Sequence, residues 1–130
     1  MIVGIGSDII NINRIKKTIN KFGNKFINKC FTKNEILISE KRLNKFSSYA
    51  KRFAAKEACS KALGTGFSKG IFWKDIGVIN KKSGKPEIIL TGGAKKKLNN
   101  IIPKNKIPKI DITITDENNL AQALVIISHN

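Results

Sequence analysis

Several residue types that define common protein classes are scarce in this 130-residue chain. It has two cysteines, one histidine and three prolines, and no window approaches 18 consecutive apolar residues. Two distant cysteines without histidine partners exclude a disulfide scaffold and a zinc site, and they favour reduced, partly buried thiols. The short apolar runs predict no membrane-spanning helix. The N-terminus has no basic region and no long apolar stretch, so we expect no signal peptide and a cytoplasmic protein.

Acidic residues are also scarce, because nine Asp and Glu stand against 25 Lys and Arg, for a formal net charge of +16. This charge favours acidic partners without identifying one, and a nucleic-acid-binding module is one interpretation. Another is a genome rich in A and T, which would raise lysine, isoleucine and asparagine together. Only three basic residues are arginines, and no aromatic residues alternate with a basic run. Dedicated nucleic-acid sites usually have both, on one continuous basic path.

The hydrophobic pattern predicts one α+β domain over residues 1–130, with a mainly antiparallel sheet packed against helices. After a strand at residues 2–10, Asn11 caps a helix that Gly23 ends, and Thr32 starts another with Glu35 in a capping box. Leu37 and Leu43 are predicted to face the core from this second helix. The remaining predicted helices are one at residues 49–63 and a short one that follows Gly92-Gly93 and runs through Leu98, before a loop at 99–106. The remaining predicted strands form two hairpins, one of strands 72–79 and 86–90 and one of strands 110–115 and 120–128.

Two carboxylates are candidates for chemistry. Asp8 lies in an otherwise apolar strand, where an unpaired charge is costly, although it could also cap the following helix. Glu57 lies in the middle of a helix with Lys61 one turn later, which is also the spacing of a surface ion pair. Mg²⁺ commonly takes one or two carboxylates from a protein and leaves its other positions to water and phosphates. Gly64-Thr65-Gly66 has two interpretations: it ends the helix, or its backbone also lies close to a ligand, which glycine permits.

Five segments together resemble a known family. Residues 5–15 read Ile-Gly-Ser-Asp-Ile-Ile-Asn-Ile-Asn-Arg-Ile, and residues 52–66 read Arg-Phe-Ala-Ala-Lys-Glu-Ala-Cys-Ser-Lys-Ala-Leu-Gly-Thr-Gly. Gly84-Lys85-Pro86 and the closing residues 110–116 and 121–123 fit the same pattern. Their order and spacing resemble the bacterial holo-[acyl-carrier-protein] synthases, the short class of 4′-phosphopantetheinyl transferases.

The resemblance implies the fold of that family and a Mg²⁺-dependent reaction. Coenzyme A donates its 4′-phosphopantetheine group to a serine of apo acyl carrier protein, which supports fatty acid biosynthesis, and adenosine 3′,5′-bisphosphate is released. Asp8 and Glu57 would be the metal ligands, and Lys61 would stabilise charge on the diphosphate. Glu57 and Lys61 are the catalytic residues implied, with either Glu57 or a metal-bound water accepting the serine proton. Coenzyme A would contact Arg52, Lys61, Gly64, Thr65 and Gly66.

The resemblance also implies a homotrimer with sites at subunit interfaces, and an acidic carrier protein as partner. Arg14, Lys21 and Lys25 are predicted to share one face of the first helix and to dock that partner. The family often has a histidine where this chain has Asp111, so a role as base is not carried over to that position. A non-catalytic adaptor is a third interpretation, and it predicts no Mg²⁺-dependent turnover.

Overall fold

The computed structural model describes residues 1–130 and places the first and last strands side by side. Strands β1 (Ile2–Asn11), β4 (Pro108–Glu117) and β5 (Leu120–His129) form an antiparallel sheet in the order β1-β5-β4. Asp8 pairs with Ala123 across this sheet. At its end the N-terminal amine donates to the carbonyl of His129 at 2.7 Å. The predicted opening strand and closing hairpin are therefore confirmed, and so is the α+β class.

A second sheet contains only the central hairpin, with β2 at Ile76–Asn80 and β3 at Pro86–Leu90. The prediction that β2 begins at residue 72 is wrong, because Trp73–Asp75 form a turn of 3₁₀ helix. The Asp75 carboxylate accepts the backbone N–H of Phe72 at 3.1 Å, which stabilises this turn in place of an extended chain.

Five α-helices complete the structure: α1 Ile12–Phe22, α2 Asn24–Cys30, α3 Lys33–Glu40, α4 Lys45–Ala62 and α5 Gly92–Ile101. The predicted cap at Asn11 and the capping box of Thr32 and Glu35 are confirmed by their hydrogen bonds. Helix α4 begins four residues before the prediction, because the Asn44 side chain accepts the N–H of Ser47 at 3.1 Å. Helix α5 also extends beyond Leu98, into the predicted loop. None of these helices combines the length and apolar character needed to cross a bilayer.

Two predictions about helix faces are wrong. Gly23 has a φ of +58° and ends α1, so Lys25 lies on the separate helix α2 and cannot share a face of α1. Leu37 and Leu43 do not reach the core, since Leu37 is 61% exposed and Leu43 is fully exposed. Helix α3 instead turns the polar side chains of Glu35 and Ser39 inward, where Glu35 meets a buried lysine.

Helix α4 packs across the three-stranded sheet, and two glycines allow it to lie unusually close to β1. A Cβ atom at Gly4 would lie 2.1 Å from the carbonyl oxygen of Ala62, and one at Gly6 would lie 2.0 Å from that of Ala58. The side of α4 that faces the core is rich in fully buried alanines, which adds to the close approach. Both cysteines are buried and unpaired, as predicted.

Candidate active site

The contact between β1 and α4 brings together three of the predicted site residues. The Lys61 ammonium lies 3.3 Å from Asp8 Oδ1 and donates to the backbone carbonyl of Ser7 at 2.9 Å. Asp8 is mostly buried, with 18% of its side chain exposed, whereas 52% of the Lys61 side chain is exposed. Lys61 therefore bridges the helix to the strand at the rim of a site that opens to solvent.

Glu57, one turn before Lys61, completes a cluster of alternating charge. Burial raises the pKa of Glu57 and the nearby Asp8 carboxylate raises it further, while Lys61 and Arg14 oppose the shift. Arg14 lies on α1, so charges on three elements act on the Glu57 carboxylate. Two carboxylates that repel each other form an arrangement that a bound cation would stabilise.

The donor set fits a hard divalent cation that keeps most of its coordination for other ligands. No group of three or more His, Cys, Asp or Glu side chains is placed to enclose a metal. Asp8 and Glu57 offer carboxylate oxygens only, which is the ligand chemistry of Mg²⁺. A two-carboxylate site of this kind leaves room for substrate phosphates around the ion.

The predicted glycine turn, Gly64-Thr65-Gly66, lies directly after the end of α4. Gly64 and Gly66 have φ values of +87° and +59°, which glycine adopts without strain. The N–H groups of Thr65 and Gly66 both donate to the carbonyl of Ser60, so the turn caps the helix. A Cβ atom at Gly64 or Gly66 would meet nothing within 4 Å, so open space lies beside both residues. Because these two N–H groups are already hydrogen-bonded, the turn offers a ligand open space but no free N–H donor from Thr65 or Gly66.

Arg52 is only 5% exposed and lines a different cavity, which contains none of Asp8, Glu57 and Lys61. Its two terminal nitrogens donate to Ser48 Oγ at 3.0 Å and Asn80 Oδ1 at 2.8 Å, and its buried Nε has no partner. The cavity has a volume of about 730 Å³. Its basic lining residues are Lys41, Arg42, Lys51 and Arg52. These four basic residues outnumber the single carboxylate in the lining, that of Asp116, so the cavity suits an anionic ligand.

Of the predicted docking residues, Arg14 is the one whose charge affects the pKa of Glu57, and none of them lines the cavity around Arg52. Arg14 and Lys21 are exposed on α1, and Arg14 also faces a surface cleft with Asn11 and Thr18. Lys25 is exposed on α2. Asp111 lies on the edge strand β4 and pairs with Lys109 at 3.6 Å.

Comparison with known proteins identifies the family. Residues 4–117 match the family model of the 4′-phosphopantetheinyl transferase superfamily. The chain belongs to this superfamily. A holo-[acyl-carrier-protein] synthase from Rhizobium rhizogenes is 58% identical over 127 residues, which cover 98% of this chain and 95% of the relative. The corresponding protein from Parvibaculum lavamentivorans is 55% identical over 128 residues, 98% of this chain and 96% of the relative.

Solved structures agree with the sequence relatives. The holo-[acyl-carrier-protein] synthase of Neisseria meningitidis has a TM-score of 0.86 at 33% identity, over 98% of this chain and 99% of that one. The Helicobacter pylori synthase, solved in complex with coenzyme A, has a TM-score of 0.81 at 33% identity, over 95% of this chain and 99% of that one. The family predicted from the sequence is thus confirmed, together with its fold.

The transferase also contains a buried ion pair that sequence reasoning missed. The Lys56 ammonium and the Glu35 carboxylate are both fully buried, 2.7 Å apart. The sequence pattern indicates only a capping role for Glu35 and places Lys56 only within a longer motif. No signal in the sequence joins them, because 20 residues separate them and both residue types usually lie at the surface.

Proposed function

We propose that the cluster of Asp8, Glu57 and Lys61 is the active site of a holo-[acyl-carrier-protein] synthase. The enzyme transfers the 4′-phosphopantetheine group of coenzyme A to a serine of apo acyl carrier protein, and fatty acid biosynthesis uses the product. Adenosine 3′,5′-bisphosphate is the other product. The observation that carries this proposal is the meeting of two carboxylates and a lysine at the contact of β1 and α4, in a chain of this superfamily.

Mg²⁺ is the proposed metal, held by Asp8 and Glu57. When bound, the ion supplies positive charge that neutralises the diphosphate of coenzyme A. Lys61 lies beside Asp8 and adds a point charge for the same oxygens. Either Glu57 or a water bound to the metal is proposed to accept the proton of the serine hydroxyl.

Coenzyme A is proposed to contact Lys61, Gly64, Thr65 and Gly66 at the end of α4. The open space beside the two glycines supports this assignment. We assign Arg52 and the basic cavity around it to the phosphates of the same ligand, and the four basic residues that line this cavity support that role. Because this cavity shares no lining residue with the carboxylate cluster, the two regions act as separate parts of the binding surface.

We further propose that residues 1–130 form one transferase domain that assembles as a homotrimer in the cytoplasm. An uncovered apolar face on the three-stranded sheet supports assembly. Ile5 and Ile9 are 64% and 59% exposed, and Ile5 pairs with Ile126 across the sheet so that both lie on this face. Light scattering at micromolar concentration checks the assembly, and a monomer there would contradict it.

The exposed basic residues Arg14, Lys21 and Lys25 are proposed to bind acidic acyl carrier protein. Arg14 supports this role best, because it is exposed on α1 and its charge still lowers the pKa of Glu57 in the proposed reaction centre. Lys25 would contribute from α2, beyond the break at Gly23.

Incubation with coenzyme A, Mg²⁺ and apo acyl carrier protein tests the function by intact mass. The carrier protein should gain the mass of one phosphopantetheine group. Asp8→Ala and Glu57→Ala should each lose most of the turnover and keep the wild-type circular dichroism spectrum. Glu117→Ala is a matched control, because it removes an exposed carboxylate from the end of β4. Salt-sensitive binding to DNA without any mass gain would overturn the enzyme and favour the nucleic-acid-binding alternative.

A further inference from the structure

The segment of residues 64–70, between α4 and the 3₁₀ turn, has an unusual backbone. Gly64, Gly66, Lys69 and Gly70 all have positive φ values. Its start is tied to α4 through the carbonyl of Ser60. Its end lies against α5, since a Cβ atom at Gly93 would be 2.1 Å from the Gly70 carbonyl oxygen. A short segment rich in glycine loses much conformational freedom when it is ordered, so its middle needs an anchor.

Phe67 supplies this anchor by stacking on Trp73. The two ring centroids are 3.8 Å apart, with 17° between the ring planes. Trp73 stacks in turn on Phe53 of α4 at 4.5 Å, and its carbonyl accepts a hydrogen bond from the buried Lys56 at 3.1 Å. The base on which Phe67 rests is therefore held by α4 itself.

We propose that Phe67 is a positioning residue for coenzyme A, because its stacking on Trp73 holds Gly64-Thr65-Gly66 in the conformation that leaves the ligand its space. This inference rests on the proposed function, in which these three residues contact coenzyme A. Phe67 acts through the loop and not by touching the reacting atoms. If only a fraction of the molecules keeps the stacked conformation, the apparent affinity for coenzyme A falls in proportion to that fraction.

The test compares Phe67→Ala with wild type and two further variants. Phe67→Ala should raise the Kd and the KM for coenzyme A about tenfold, with kcat within about threefold, because the loop must be ordered on binding. Phe67→Tyr keeps the ring and should restore wild-type affinity. Phe72→Ala is the matched control, since Phe72 lies in the same connection but is 70% exposed. It should leave the affinity for coenzyme A unchanged.

Trp73 is the only tryptophan, so its fluorescence gives a readout independent of activity. Acrylamide should quench Trp73 more in Phe67→Ala than in wild type, and saturating coenzyme A should reduce the difference. If Phe67→Ala does not fold, Phe67→Leu replaces it, with the same direction expected. More quenching with unchanged affinity would overturn this inference alone, provided that wild type transfers the phosphopantetheine group. A wild-type protein that does not bind coenzyme A would overturn the proposed function as well.

Discussion

The buried ion pair of Lys56 and Glu35 leads to a quantitative stability prediction. The Lys56 ammonium donates to Glu35 Oε1 at 2.7 Å and to the carbonyls of Trp73 and Ile76 at 3.1 and 2.5 Å. Burial lowers the pKa of Lys56, and the Glu35 carboxylate counteracts this shift. The pair therefore joins α3, α4, the 3₁₀ turn and β2 at one buried point.

Lys56→Met is the informative substitution, because it removes the ammonium and keeps a long side chain. Breaking a buried pair by removing one partner typically costs about 3–5 kcal/mol. Glu35 would keep two backbone donors, the N–H groups of Thr32 and Val78, each at 2.7 Å. Because these donors still stabilise the carboxylate, we expect a loss at the lower end, about 3 kcal/mol.

Urea denaturation at pH 7 and fixed protein concentration measures this loss. The double variant Glu35→Gln with Lys56→Met should lose less than the sum of the two single variants, with a coupling of about 2 kcal/mol. Lys51→Met is the matched control on the same helix, because Lys51 pairs with Asp116 at 3.8 Å near the surface. It should change the free energy of unfolding by less than about 1 kcal/mol. A Lys56→Met protein as stable as Lys51→Met would refute the reasoning.

Three further predictions address docking, charge and packing. Arg14→Glu with Lys21→Glu should raise the KM for carrier protein at low salt and leave that for coenzyme A unchanged, and added salt should reduce the difference. Unchanged carrier-protein kinetics at low salt would place docking elsewhere. The pKa of Glu57 is raised in the folded protein, so ionisation of this carboxyl group destabilises the folded state. This destabilisation is absent below the ordinary pKa of glutamate and complete above the pKa that Glu57 has in the folded protein. Glu57→Gln should therefore melt above wild type at pH 7 in EDTA, and the advantage should disappear near about pH 4; an advantage that persists in acid would contradict this. Gly6→Ala should destabilise the fold by about 3 kcal/mol in thermal denaturation, because its Cβ would meet the Ala58 carbonyl oxygen at 2.0 Å; wild-type stability would show that α4 can move away.

Local signals predicted the elements whose causes are local. The Asn11 cap, the Thr32 capping box and the closing hairpin depend on residues within a few positions of each other, and all three are present. Helix α2 was not predicted, because its N-cap Gly23 makes no side-chain hydrogen bond and its seven residues give a weak pattern. Pairing of β1 with β5 joins residues at opposite ends of the chain, which no local pattern specifies.

Within helix α4 of the candidate site, the surroundings of a side chain likewise depend on distant residues and not on the local sequence alone. Lys56 and Lys61 have identical side chains, yet Lys56 is fully buried and 52% of the Lys61 side chain is exposed. Five positions correspond to about 140° around a helix, so the two lysines point to different sides of α4. The family resemblance already implies a role for Lys61, and the packed structure adds the physical reason, since Lys61 lies beside Asp8 whereas Lys56 is paired with Glu35.

The position of Glu57 depends on both sides of α4 at once. On one side, Gly4 and Gly6 let the helix backbone approach β1, which brings Glu57 close to Asp8 although the two carboxylates repel. On the other side, Lys56 is tied to Glu35, Trp73 and Ile76, so the helix cannot easily rotate or withdraw to relieve that repulsion. Repulsion between carboxylates held at fixed positions is relieved by binding a cation, and not by movement of the chain. The same packing that destabilises Glu57 as an anion therefore favours binding of a cation such as the proposed Mg²⁺.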